Sequence, residues 1–372
     1  MASISLTPPA PTIPVAPALA RGDRFPNLFL TAQDRKVAST TDRMKGGPAL
    51  VYWFRDESDA EAVARLRRLA AAAPARLDQD AHVFAVTRAG ADAVAALGAG
   101  IDPRLMLLSD PDGRGSAAMG LPLDRRFGIA LLLDPNQRVL AVFDEADGDP
   151  VERGLAALDS HLPIPAPAFV PMCAPVLLVP RVLDPETCAR LIDIYRTAGN
   201  EESGTFRMVD GKPVVSPNHA VKRRRDHHVT DPALYDELLG LLQRRVVPEI
   251  RRAFNFQVTR FEEFKIVRYD GEVGGYFKPH RDNTAPQTLH RRFAMTLNLN
   301  AEAYEGGNLR FPEFGNTLYR PGTGDAVLFS CSLLHEAQNV TRGERYVLLA
   351  FLFDEAGLKI KDEMRKRIAA SQ

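Results

Sequence analysis

The feature that most restricts this chain is a change of hydrophobic rhythm part-way along it. From about Arg21 to Leu162, short apolar runs alternate with helical patterns: ALVYWF (49–54), an Ala/Arg-rich helix around 59–73, HVFAVT (82–87), a helix near 91–98, LMLLSD (105–110) and IALLLD (129–134). Strands spaced by helices predict a largely parallel sheet covered on both faces. RVLAVFD (138–144) follows the turn residues Pro135, Asn136 and Gln137 and reads as the second arm of a hairpin. Beyond Val258 the rhythm becomes strands and turns: FEEFKIVRY, YFKPH, FAMTLNLN, GNLRF, DAVLFS and YVLLAFLF. Such a series predicts an all-β sandwich or barrel. A chain of 372 residues is long enough for two such domains, each with its own core.

The boundaries are marked by proline. The first 20 residues carry five prolines and no basic residue, which suits a flexible extended arm better than a secretory signal. HLPIPAPAFVPMCAP (161–175) reads as a linker, because each residue before a proline is pushed out of the helical region. The expected layout is thus an arm over 1–20, an α/β domain over 21–160, the linker, a second domain over 176–360 and a helical tail over 361–372. Inside the second domain, VLLVP (176–180) reads as a strand, followed by a helix with Asp184 as N-cap and Pro185 as its first residue. A further helix is expected at roughly 231–253.

Charge and cysteine content narrow the function classes. The 47 basic and 47 acidic side chains cancel, so nothing in the whole-chain charge points to nucleic acid or an anionic membrane. No stretch approaches the roughly 20 apolar residues of a membrane span. Cys173, Cys188 and Cys331 form no closely spaced redox or zinc pair, which suits a reducing cytoplasm.

The chemistry concentrates late in the chain. In Phe277-Lys-Pro-His280-Arg-Asp282-Asn283 an imidazole and a carboxylate stand two residues apart, and on a strand such residues face the same side. Alone the pair is more readily a solvated polar couple than a metal site. His335, with 52 residues between it and Asp282, changes the balance. Two imidazoles and one carboxylate form a facial triad that leaves positions open on a six-coordinate iron(II). Zinc accepts the same donors and is the competing reading. Ten residues on, Arg345 opens the apolar strand YVLLAFLF; among apolar neighbours a guanidinium requires an anion, and a bidentate carboxylate is the natural one. The alternative is an exposed arginine in the turn TRGER.

Taken with Tyr269, Gly275, EGGNLRFPE (305–313) and PGTGDAVLF (321–329), these residues resemble the prolyl 4-hydroxylase-like group of 2-oxoglutarate and iron(II) dioxygenases over roughly 174–356. The resemblance implies a double-stranded β-helix (jelly roll) with flanking helices and iron(II) held by His280, Asp282 and His335. It implies 2-oxoglutarate on the metal with its far carboxylate on Arg345, and Tyr269 as a further cosubstrate contact. The implied reaction consumes dioxygen, releases succinate and carbon dioxide and hydroxylates an unactivated C–H bond of an amino acid, peptide or prolyl residue, with ascorbate as a possible reductant. Desaturation or cyclisation of a small biosynthetic metabolite uses the same machinery. Halogenation is disfavoured, because related halogenases replace the metal carboxylate that Asp282 supplies here.

The first half resembles the peroxiredoxin and thioredoxin-like fold over roughly 21–160, through GDRFPNLFLTAQDRK, GGPALVYWFRD, LLSDPDGRGSAAMGLP and ALLLDPNQRVLAVFD. It departs at the decisive place. Peroxide reduction needs a low-pKa thiolate just after the strand ALVYWF. Here those positions are Arg55 to Ala60, and residues 1–172 contain no cysteine. This half is therefore read as a scaffold, a docking surface or a homodimerisation module, and a non-catalytic redoxin-like binding protein is the reading from a different class.

Smaller features are weighed the same way. Lys222, Arg223, Arg224 and Arg225, before His227 and His228, read as a solvated loop, or more sharply as a binder of an acidic substrate group. No aromatic platform interleaves them, so nucleic acid is not expected. Trp53 reads as a core residue, His82 as a core or edge histidine, Glu262 and Glu263 as strand-face charges, Cys331 as a buried apolar thiol, and Asn283 as a turn former or a support for the metal carboxylate.

Overall fold

The computed structural model describes residues 16–121, 123, 127–169, 172–209 and 212–370. The first 15 residues of the expected arm and the last two of the expected tail lie outside them. The chain divides into two compact units, Met1–Pro167 and Ala168–Gln372.

The first unit has a thioredoxin-like α/β fold. Its seven-stranded sheet runs in the order Val37–Ser39, Phe29–Ala32, Met106–Ser109, His82–Thr87, Ala49–Phe54, Gly128–Leu133, Val139–Asp144. The expectation of a largely parallel sheet is corrected here. Only the three neighbours Ala49–Phe54, His82–Thr87 and Met106–Ser109 are parallel; the remaining pairings are antiparallel. Connection length accounts for part of this: helices separate the parallel strands, whereas the tight Asp134–Arg138 turn pairs Gly128–Leu133 antiparallel with Val139–Asp144. ALVYWF is buried throughout because both faces of the sheet are covered. Val51 and Trp53 pack into one core, Leu50, Tyr52 and Phe54 into the other. Trp53 is a core residue as expected, and its Nε1 donates to Ser116 Oγ at 3.1 Å. Where a peroxidatic thiol would stand, Asp59 caps the helix Ala60–Ala72, accepting from the amides of Glu61 and Ala62.

The second unit is a double-stranded β-helix. Its major sheet runs Leu177–Val179, Ala326–Ser330, Phe293–Asn298, Val340–Phe353, Lys265–Asp270, Arg225–His228, Glu201–Glu202. Its minor sheet runs Lys222–Arg223, Tyr276–His280, His335–Ala337, Leu309–Arg310, Leu318–Tyr319. Alternation along the long strand Val340–Phe353 explains the layers. Tyr346, Leu348, Ala350 and Leu352 pack against Leu191, Leu238, Leu242 and Ile250 of the outer helices. Val347, between them, belongs with Val267, Tyr269 and Ala337 on the opposite, inner face.

The helix Pro185–Thr197 is capped by Asp184 as expected. The single helix expected over 231–253 is instead two, Pro232–Arg245 and Val247–Phe254, broken at Val246 just ahead of Pro248. The C-terminal helix begins earlier than the expected tail and spans Glu355–Ala370, with Gly357 N held by Asp354 Oδ1. No helix among the described residues is long and apolar enough to cross a membrane.

Candidate metal centre

His280 ends the strand Tyr276–His280, and His335 opens the neighbouring His335–Ala337; the two are register partners. Asp282 lies just beyond the strand, its amide donating to Cys331 O at 3.0 Å. His280 Nε2 is 3.4 Å from one Asp282 oxygen and His335 Nε2 is 3.3 Å from the other. One ligand atom from each residue falls within a 4.8 Å cluster.

The imidazoles are oriented by identical local contacts. His280 Nδ1 lies 2.8 Å from Lys278 O, and His335 Nδ1 lies 3.0 Å from Leu333 O. Each carbonyl accepts a hydrogen bond from Nδ1–H and leaves Nε2 on the side of Asp282, the tautomer a metal needs. Phe277 stacks on His280 at 3.4 Å and Phe329 packs at 4.5 Å from His335. Burial holds the His335 imidazole below its ordinary value despite the pull of Asp282. Burial pushes the Asp282 carboxyl up, but His335, His280 and Arg291 outweigh it and hold it below the usual carboxylate range. A neutral imidazole, as burial favours at His335, and a carboxylate are ligand forms that a divalent cation takes.

The same triad lines a cavity of about 550 Å³ together with Tyr269, Thr296 and Arg345. Arg345 corrects the strand-end alternative: it sits within a 14-residue strand, 3% exposed. Its one hydrogen bond among the described residues is to Thr296 Oγ1 at 3.5 Å, and its Nε is buried without a partner. Tyr269 is its register partner, and the guanidinium lies 5.2 Å from the Tyr269 ring. Gly307, at φ +60°, makes room for it, because a Cβ there would stand 3.0 Å from Arg345 Cδ. A buried guanidinium without a carboxylate, in the same cavity as the triad, fits a dicarboxylate reaching from the metal to the cavity wall.

The structure also gathers residues that sequence reasoning placed elsewhere. Glu262 is not a strand-face charge: it bonds His290 Nε2 at 2.5 Å and Arg291 through both oxygens, at 3.0 and 2.8 Å. Arg291 NH1 in turn donates to Asp282 O at 3.4 Å and lies 3.6 Å over the Phe351 ring. The basic run is not a solvated loop: Lys222 and Arg224 line the cavity, whereas Arg223 and Arg225 do not. The signal was the alternation in KRRRDHH, which strand geometry converts into two faces. Asn283 Nδ2 donates to Ser332 Oγ at 2.8 Å, tying the Asp282 loop to the turn before His335. Cys331 is fully buried, and burial pushes its thiol far up.

Residues 264–353, which contain the triad and Arg345, match the family model of the 2OG-Fe(II) oxygenase superfamily. This segment is a 2OG-Fe(II) oxygenase domain. The family implies iron(II), 2-oxoglutarate and dioxygen, and the protein is an oxygenase. No curated protein matches the chain. Among solved structures, a prolyl hydroxylase from Trichoplax adhaerens, in complex with a hypoxia inducible factor oxygen degradation domain peptide fragment, is 18% identical, with 50% of this chain and 86% of that one covered at a TM-score of 0.40. A Pseudomonas putida prolyl-4-hydroxylase is 17% identical, covering 54% of this chain and 98% of that one at 0.37. Peroxidoxin BcpB from Mycobacterium tuberculosis is 17% identical, covering 40% of this chain and 99% of that one at 0.35. Such identities and TM-scores leave these three as likenesses only.

Proposed function

We propose that this protein is an iron(II)- and 2-oxoglutarate-dependent hydroxylase acting on an unactivated C–H bond of an amino acid, a peptide or a prolyl residue. The observation that carries the reading is the unpaired Arg345 guanidinium in the cavity of the His280–Asp282–His335 cluster. Bound iron(II) with 2-oxoglutarate and dioxygen supplies the oxidation: one oxygen atom enters the product as hydroxyl, the other leaves in succinate, and carbon dioxide is released.

The chain's own groups prepare that step. His280, Asp282 and His335 hold the metal on one side, with the imidazole rings locked by Lys278 O and Leu333 O. Arg345 receives the distal carboxylate of the cosubstrate. Tyr269, whose hydroxyl accepts from Arg224 at 3.2 Å, lines the same wall and adds a contact to it. Leu309, Phe329, Leu349 and Phe351 add apolar lining to the cavity and limit water around the reacting C–H bond.

The three cysteines are free, which suits a reducing compartment and the cytoplasmic reading. Ascorbate would serve to re-reduce iron after unproductive turnover. The thioredoxin-like unit, lacking a thiol where its fold would carry one, would act in docking or in pairing two copies. The test is succinate and carbon dioxide formation by iron-loaded protein. His335→Ala and Asp282→Ala should bind iron weakly and form no succinate, and turnover surviving in either would overturn the assignment.

A further inference from the structure

The charges that line the cavity are unevenly paired. Asp226 pairs with Arg224, Glu263 with His228 and Lys265, Glu201 with His228, Glu202 with His219 and Arg291 with Glu262, and Asp282 belongs to the metal cluster. Two lining cations remain without a carboxylate among the described residues. One is Arg345, already assigned to the cosubstrate. The other is Lys222.

Lys222 is placed for use rather than for packing. It is 8% exposed, lies on the first strand of the minor sheet and is the register partner of Phe277. Its Nζ donates to Ser203 Oγ at 2.9 Å and sits 5.3 Å from the Phe277 ring centroid, whose other neighbour is the His280 imidazole at 3.4 Å. Lys222 therefore shares the Phe277 ring with a metal ligand. Arg224 stands beside it, 5.4 Å from the same ring, but is already committed to Asp226 and Tyr269. Burial and the neighbouring Arg224 push the Lys222 amine down to about 7, against the opposing pull of Asp226 and Asp282. A buried ammonium bonded only to a hydroxyl is unfavourable unless something compensates it.

We propose that Lys222 is the docking point for a carboxylate of the primary substrate, so that the oxidised C–H bond belongs to a small carboxylic acid or to a peptide segment presenting a carboxylate. This rests on the hydroxylase reading above and specifies its substrate class. The two anions are then divided between two walls: the cosubstrate on Arg345 of the major sheet, the substrate on Lys222 of the minor sheet beside the metal. An ammonium is a point charge that one carboxylate can satisfy, whereas the planar fork of Arg345 suits bidentate capture.

The experiment is calorimetric titration of full-length protein, loaded with iron(II) and 2-oxoglutarate without dioxygen, using the twenty N-acetyl amino acids and their primary amides. Some acids should bind while their amides do not, and Lys222→Met should weaken those acids about tenfold or more, with Lys222→Arg retaining part of the affinity. 2-Oxoglutarate affinity, read from the visible absorption of its iron(II) chelate, should be unchanged in both variants. The proposal is overturned if no acid binds, if amides bind equally, if Lys222→Met leaves the acids unaffected, or if that variant loses 2-oxoglutarate instead. Failure of the hydroxylase reading looks different: the wild-type protein would then form no iron(II)–2-oxoglutarate chelate.

Discussion

Replacing Arg345 by Leu separates a cosubstrate arginine from a structural one, because the two roles predict opposite changes. The guanidinium is 3% exposed, its only hydrogen bond among the described residues is a 3.5 Å contact to Thr296, and its Nε is unpartnered. Without an anion it is a desolvated charge, so Leu should leave the melting temperature of the ligand-free protein unchanged or raise it. With a carboxylate bound, two charge-assisted hydrogen bonds at about 1.5–3 kcal/mol each are lost, together about 3–6 kcal/mol, or about 10²–10⁴ in affinity for 2-oxoglutarate. Anaerobic titration of the iron(II)-loaded protein, followed by the visible absorption of the chelate, reads that loss directly. A parallel thermal melt without ligand reads the stability. If 2-oxoglutarate binding survives while the melting temperature falls, Arg345 is a structural cation and the reasoning fails.

Two further outcomes follow from other parts of the fold. Burial would push the Glu262 carboxyl up, but His290 and Arg291 hold it at about 2 against an ordinary 4.5. The folded value is the lower one, so the stabilisation is present above about pH 4.5 and is lost as pH falls toward 2. Glu262→Gln should therefore be less stable at neutral pH, by up to about 3 kcal/mol, and should flatten the acid limb of urea midpoints measured between pH 7 and pH 3. In the first unit, the Asp110 carboxylate accepts from Gly115 N, Ser116 N and Ser116 Oγ at 2.8, 2.7 and 2.8 Å. Asp110→Ala orphans these donors and should destabilise that unit by about 3 kcal/mol. The single tryptophan, Trp53, bonds the same Ser116, so its fluorescence in a denaturant titration reports on that unit; an unchanged midpoint would refute the account.

Much of the site was legible because strand geometry is local. His280 and Asp282 are two residues apart, Arg345 follows His335 by a fixed interval, and inward and outward positions alternate along each strand, so ligand types and approximate spacing already restricted the chemistry. The same alternation was present in KRRRDHH, but nothing local said that those residues were strand rather than loop. Their state was decided by pairing with partners 40 or more residues away, Lys222 with Phe277 and Asp226 with Val267. Glu262 shows the same limit: its acidity is set by His290 and Arg291, which reach it only after the sheet is formed.

By itself the sequence determined the two fold regimes, the cysteine-free character of the first unit and the residue types available for a metal, since these depend on periodicity and composition. Tertiary structure decided which charges are paired. Arg345 and the run around Lys222 stood out in the sequence, but that neither has a carboxylate beside it became readable only once the jelly roll closed around them. A cation's chemistry depends on the carboxylates within a few ångströms and on the water excluded around it, and both are properties of long-range packing rather than of the neighbouring residues in the chain.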